Sequence, residues 1–171
     1  MITREDLSGS FHETEASALY ERARQEGDLV AFCRRFMHDT DHRVVRNALW
    51  ALTKAKGREP RQLQPALTDL TGLAMTTTDS AVRRLALTLS MRLPITEADL
   101  RSDFLDFCLE HMTDMAEPPG VQSCCMRLAH AMCAFHPELR EELRRTLETM
   151  EPEYYKPAVR SIRKKILDSR T

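Results

Sequence analysis

The sequence contains only five glycines among its 171 residues. They lie too far apart to form G-x-G-x-x-G or G-x-x-x-x-G-K-[ST], which excludes the glycine-rich loops that cradle phosphate groups. Valine and isoleucine are also scarce, with ten residues together against twenty-one leucines. This balance disfavours a β-sheet and favours helices.

Long apolar runs and an excess of one charge are absent as well. The formal net charge is −1 and the pI is about 6.6, so no global basic field attracts nucleic acid or membranes. No uncharged stretch is long enough to cross a bilayer, and residues 1–27 are acidic without the apolar core of a signal peptide. We therefore expect a cytoplasmic protein without a membrane partner.

Recognisable catalytic and metal-binding signatures are missing. The five cysteines, an odd number, lie within helical apolar patterns, which predicts buried, reduced thiols. His130, Cys133 and His136 are spaced by three, with Cys124 and Cys125 just before them, but no C-x-x-C or H-E-x-x-H accompanies them. We expect packed thiols here and not a metal, and we predict neither a cofactor nor an enzyme.

Periodic apolar residues separated by short breaks predict nine helices. Gly27, Gly57 and the prolines mark most of the breaks. Because no linker is long enough to divide the chain, we expect a single all-α domain over residues 1–171. The predicted helices cover residues 12–26, 28–37, 42–55, 64–75, 80–93, 96–115, 121–135, 138–150 and 152–168.

A short element recurs along the chain at nearly constant spacing. Val45-Arg46, Val82-Arg83, Val121-Gln122 and Val159-Arg160 are separated by 37, 39 and 38 residues. An apolar residue follows each valine at the seventh position, and a further helix precedes each copy. A helix pair of about 40 residues is the unit of HEAT and armadillo solenoids.

Two of the copies resemble the second helix of HEAT repeats, D-x-x-V-R-x-x-A-x-x-A-L. They are DHRVVRNALWAL (41–52) and DSAVRRLALTL (79–89). The resemblance implies a right-handed α-α solenoid of about four helix pairs (residues 28–57, 60–94, 96–135 and 137–168) preceded by a capping helix at 12–26. It also implies that Arg46 and Arg83 pair with an aspartate of an adjacent repeat.

A helical wheel suggests a binding surface on the second helices. Trp50, Leu87 and Met126 occupy the same register, away from the expected core face. We interpret them as an apolar groove that holds a peptide or helix of a partner protein, edged by Arg43, Asn47, Lys54 and Arg84. The alternative is that they pack between neighbouring second helices or under the N-terminal helix.

Charge is unevenly distributed, which leaves a second function open. Residues 34–61 and 156–170 each carry +5, and residues 97–117 carry −6. Asp99, Asp103, Asp106, Glu110 and Asp114 form one acidic helix face, and Lys156, Arg160, Lys164 and Lys165 are candidates for contact with an anion or an acidic partner. The favoured function is a protein-binding scaffold. The alternative is nucleic-acid binding, by resemblance to the HEAT-like DNA alkylation repair glycosylases.

Overall fold

The structure, a computed structural model, describes residues 1–169. Ten α-helices follow one another, and the described part of the chain contains no β-strand. They are α1 (Arg4–Ser8), α2 (Glu13–Glu26), α3 (Leu29–Phe36), α4 (His42–Leu52), α5 (Leu67–Thr76), α6 (Ser80–Met91), α7 (Ser102–His111), α8 (Pro119–Cys133), α9 (Pro137–Thr149) and α10 (Pro157–Asp168). The prediction of an all-α fold is confirmed.

The nine predicted helices correspond to α2–α10, and α1 is an addition. At five residues, α1 is too short to show a helical period, but Thr3 and Asp6 form a capping box at its start and Leu7 is fully buried. Three helices begin later than predicted. The 3₁₀ turns Glu59–Ala66, Glu97–Asp99 and Pro152–Tyr154 replace the expected first turns of α5, α7 and α10. Prolines lie within the first and the third of these turns.

The chain forms two compact units, Met1–Pro94 and Ile95–Thr171. Below, the first is called the N-terminal unit and the second the C-terminal unit. Each contains two of the predicted helix pairs, α3/α4 and α5/α6 in the first and α7/α8 and α9/α10 in the second. The expectation of a single domain over residues 1–171 remains a prediction.

Helix α4 is the centre of the N-terminal unit, where it packs against α1, α2, α3 and α6. Its apolar residues sit on more than one face, and Val44, Val45, Leu49 and Leu52 are all buried. Helix α6 packs against both α4 and α5. The second helices of the two pairs therefore lie side by side, which is how neighbouring repeats bury a continuous core.

Aspartates and arginines secure the ends of these helices. Asp41 and Asp79 cap α4 and α6 by accepting hydrogen bonds from the backbone N–H groups of Arg43 and Val82, each at 2.9 Å. Arg83 donates to the carbonyl oxygens of Ala74 (3.0 Å) and Thr77 (2.6 Å) at the end of α5. The motif arginine thus binds backbone carbonyls within its own repeat.

The C-terminal unit is organised around α8, which packs against α7, α9 and α10. Arg163 is the fourth residue after Val159, where the other three copies of the repeat have Leu49, Ala86 and Cys125. Its Nε donates to the carbonyl oxygen of Leu147 at 2.8 Å, near the end of α9. Tyr155 Oη donates to the carbonyl oxygen of Thr113 at 3.0 Å. No helix in the described residues combines the length and apolar character needed to cross a bilayer.

Candidate functional site

An open groove on the N-terminal unit is the strongest candidate for a binding site. Its cavity volume is about 490 Å³, within the range typical of ligand sites. Arg46 and Trp50 of α4 and Thr53, the residue that caps its C-terminal end, line it, at steps of four and three residues that place them on one helix face. Its remaining lining residues are Phe11, from the segment between α1 and α2, and Arg84, Leu85 and Thr88 from α6.

Two half-buried aromatic rings form the apolar part of the groove. The centroids of Phe11 and Trp50 lie 5.6 Å apart with an interplanar angle of 63°, an edge-to-face arrangement. Lys54 Nζ lies over the indole, 5.9 Å from its centroid, and is ion-paired with Glu13. The indole is therefore contacted by Phe11 from the segment before α2 and by Lys54 just after α4, with part of its surface left accessible.

The cations of the groove are Arg46 and Arg84, both exposed. Arg46 Nε makes one long contact of 3.5 Å with the side-chain oxygen of Asn47, and within residues 1–169 neither guanidinium forms an ion pair with an acidic side chain. The hydroxyl groups of Thr53 and Thr88 donate to the carbonyl oxygens of Trp50 and Arg84. The guanidinium groups are thus the strong donors that the groove offers to a ligand.

Two residues predicted to line the groove are core residues instead. Leu87 and Met126 are both 0% exposed, so the predicted line from Trp50 through Leu87 to Met126 is wrong. Helix α6 packs against two helices and α8 against three. Each helix is therefore buried on more of its circumference than the one core face that the helical wheel assumes. Both residues therefore belong to the buried core.

The residues predicted to edge the groove take different roles. Asn47 is fully buried, and its Nδ2 donates to the carbonyl oxygen of Leu7 at 2.8 Å, so it is a structural residue and its assignment to a partner contact is wrong. Arg43 is exposed and pairs with Asp41 at 3.0 Å, outside the groove lining. Arg84 lines the open groove, and Lys54 adjoins it through Trp50. Their assignment as partner contacts stays a prediction.

The basic residues predicted as an anion contact lie along α10. Lys156, Arg160 and Lys164 recur at four-residue steps, Lys165 adjoins them, and all four are exposed. In the described chain none of these four side chains forms an ion pair. By contrast, Arg144 and Arg145 on α9 pair with Glu148 and Glu141.

Burial makes three of the five cysteines poor nucleophiles. All five are buried, as predicted. Burial raises the pKa of the Cys33 thiol to about 12 and that of Cys133 to about 11, and burial, followed by the neighbouring Cys125, raises the pKa of Cys108 well above its usual value. Because the thiolate is the reactive form, these three thiols stay protonated at neutral pH.

Three potential metal-ligand side chains, which the sequence analysis did not single out as a site, lie close together in the C-terminal unit. One ligand atom from each of His111, the last residue of α7, and Asp114 and Glu117, in the turn after it, falls within 4.8 Å of the others. His111 Nδ1 lies 2.9 Å from Glu117 Oε1, and Phe107 stacks on the imidazole at 3.9 Å. The three-residue spacing H-x-x-D-x-x-E is the sequence signal that could have indicated this cluster. Of the predicted acidic face, Asp103 pairs with Arg101.

A family model described as a HEAT repeat domain matches residues 3–170. The chain belongs to the HEAT repeat family. No curated protein and no solved structure gives a significant match.

The family match covers the whole segment that carries the groove. The matched residues include α1 and α2 as well as the four helix pairs. In this HEAT repeat protein the groove lies where α4 and α6, the second helices of two successive pairs, meet the segment before α2. HEAT repeats commonly mediate protein interactions and are generally non-enzymatic.

Proposed function

We propose that this HEAT repeat protein is a non-enzymatic scaffold that binds a segment of a partner protein in the Trp50 groove. The observation that carries the proposal is the Phe11–Trp50 pair, half-buried in an open cavity of about 490 Å³ and flanked by two arginines without acidic partners. Tryptophan and arginine are the residues most enriched at binding hot spots. An apolar side chain of the partner packs against Trp50 and Leu85.

The neighbours of the indole favour a peptide over a nucleic acid. Nucleic-acid sites of this kind stack a base flat on an aromatic ring. Here Lys54 lies over the ring of Trp50 and Phe11 meets it at 63°, so both hinder a flat stacking partner. A flexible side chain needs no such flat face, and the near-neutral chain has no overall positive field to attract a polyanion.

We propose the exposed cations of α10 as a second contact for an anionic region of the partner. Four exposed cations form this contact, and none of them is paired with an acidic side chain of the described residues. They are Lys156, Arg160, Lys164 and Lys165. The exposed residues between them are small or polar, and they include Ala158 and Ser161. This contact therefore contributes charge without an apolar anchor, and salt weakens it.

Selection of peptides from a displayed random 12-residue library tests the scaffold function. Peptides that are enriched on the wild-type protein and depleted on Trp50→Ala are synthesised, and their binding is measured by calorimetry. We expect Trp50→Ala to weaken binding at least tenfold, the effect of removing about 1.4 kcal/mol. Tyr154→Ala, which removes an aromatic ring that is 65% exposed in the C-terminal unit, leaves binding unchanged.

A double substitution on α10 separates the contribution of the α10 cations from that of the groove. The double variant Lys164→Glu/Lys165→Glu weakens binding only of anionic ligands that contact α10. Failure to enrich any peptide on the wild type over Trp50→Ala would overturn the groove as a binding site. Tighter binding of a labelled single-stranded oligonucleotide than of every selected peptide, lost in Trp50→Ala, would assign the groove to nucleic acid instead.

A further inference from the structure

We infer that the segment bound in the groove is acidic, with carboxylates on both sides of one apolar side chain. The inference rests on the proposed function and specifies the chemistry of the partner. It follows from a comparison between the arginines of the N-terminal unit that have an acidic partner and those that do not.

Most arginines of the N-terminal unit outside the groove bind an acidic side chain or a backbone carbonyl of the protein itself. Six of them form ion pairs with acidic side chains: Arg4 with Asp39, Arg22 with Asp6, Arg24 with Glu21, Arg34 with Asp69, Arg35 with Glu26 and Arg43 with Asp41. Arg83 and Arg92 donate to backbone carbonyls at helix ends. Arg46 and Arg84 line the same cavity without such an acidic partner among the described residues.

The groove itself contributes no negative charge to these two arginines. None of its lining residues in the described chain is acidic. The nearby Lys54 is paired with Glu13, so the charge left for a ligand is that of two guanidinium groups. A carboxylate matches the planar donor fork of a guanidinium, and the pair forms two parallel hydrogen bonds.

The positions of the two arginines define the order of groups in the ligand. Arg46 belongs to α4 and Arg84 to α6, with Trp50 of α4 and Leu85 of α6 in the same lining. One carboxylate of the ligand meets the α4 side and another meets the α6 side, and an apolar side chain packs on Trp50 between them. The hydroxyl groups of Thr53 and Thr88 already donate to backbone carbonyls, so the guanidinium groups select for anions.

Sequencing of the peptides selected on the wild-type protein tests the inference directly. We expect an apolar residue flanked by Asp or Glu on both sides. Because the chain has one tryptophan, its fluorescence reports on the groove alone, and a titration followed by Trp50 emission gives the affinity. Replacing the flanking acids of a selected peptide by their amides weakens binding about fivefold for each charge removed.

Arginine variants provide the complementary measurement. Arg46→Ala and Arg84→Ala each weaken the acidic peptide about fivefold and leave the affinity of the amide peptide unchanged. Arg84→Lys recovers part of the loss, because the charge remains and the fork is lost. Arg61→Ala removes an exposed arginine of the same unit outside the groove, and it controls for the change in overall charge.

The outcomes distinguish the inference from the function on which it rests. If no peptide is enriched, the groove is not a peptide site and both fail. If the enriched peptides bind through Trp50 but are neutral or basic, or bind Arg46→Ala and Arg84→Ala as tightly as the wild type, the scaffold function stands and the acidic partner is wrong.

Discussion

Asn47 shows at the scale of one residue how a polar side chain holds two elements together. It is 0% exposed, and its side-chain amide reaches back 40 positions to the carbonyl oxygen of Leu7 in α1. This helix is only five residues long, and isolated helices of that length are unstable in water. The hydrogen bond and the burial of Leu7 therefore anchor α1 to α4.

We expect Asn47→Ala to lower the free energy of unfolding by about 1–3 kcal/mol, because it leaves a buried carbonyl without a donor. Asn47→Asp costs at least as much, since a carboxylate cannot donate to that oxygen. Urea unfolding followed by circular dichroism measures both. Gln25→Ala, at an exposed position of α2, changes stability by less than about 0.5 kcal/mol. An Asn47→Ala protein as stable as this control would show that the hydrogen bond contributes nothing.

At the scale of a secondary-structure element, a single aspartate caps the start of helix α6. Asp79 accepts a hydrogen bond from the N–H of Val82 and also lies 3.4 Å from His42 Nδ1 of α4. The Asp79 side chain thus caps α6 and also contacts α4, so it connects the second helices of two successive pairs. Asp41 has the corresponding cap position in α4, which explains why an aspartate precedes both good copies of the sequence repeat.

We expect Asp79→Ala to lower the free energy of unfolding by about 0.5–2 kcal/mol through loss of the cap. Asp79→Asn keeps a side-chain oxygen for the N–H of Val82 and loses only the charge, so most of the stability returns. Thermal and urea unfolding of the two variants give the comparison. Equal destabilisation by both substitutions would assign the effect to the negative charge near His42 instead of to the cap.

The acidic groups with altered pKa values are unevenly divided over the whole molecule. In the N-terminal unit the pKa is lowered for Asp6, Glu15, Glu26, Asp39, Asp41 and Glu59, and in the C-terminal unit for Asp103. A hydrogen bond from Arg4 is the main cause for Asp39, and one from Arg43 is the main cause for Asp41. The N-terminal unit therefore depends more on ionised carboxylates.

A lowered pKa stabilises the folded state above the pKa of the unfolded chain, and this contribution is lost as the pH falls through the folded pKa. We therefore expect the N-terminal unit to lose stability as the pH drops below the ordinary aspartate value of 3.8, before the C-terminal unit does. Trp50 emission follows the N-terminal unit, and hydrogen exchange in α8 follows the C-terminal unit. Asp39→Asn makes the Trp50 transition less dependent on pH. If the amide hydrogens of α8 lose their protection from exchange at a higher pH than the Trp50 transition, the C-terminal unit unfolds first and the prediction is wrong.

The repeat architecture was predictable because its causes are local. Leucine-rich periodicity, Gly27 and the prolines located nine of the ten helices, and the Val-Arg spacing indicated the HEAT family. The candidate groove was predictable only in part. Trp50 and Arg84 line the groove, whereas Leu87 and Met126 lie in the core, because a wheel describes one helix and not the several helices that cover its flanks.

The sequence by itself determined the helices, their pairing into repeats and the family, since helix periodicity, capping and turn residues act over a few positions. Tertiary structure decided which residues of the second helices remain accessible. Phe11 reaches Trp50 across 39 positions, and Asn47 is buried against Leu7. Such contacts depend on the packing of helices distant in sequence, and that packing leaves Arg46 and Arg84 together beside an aromatic pair.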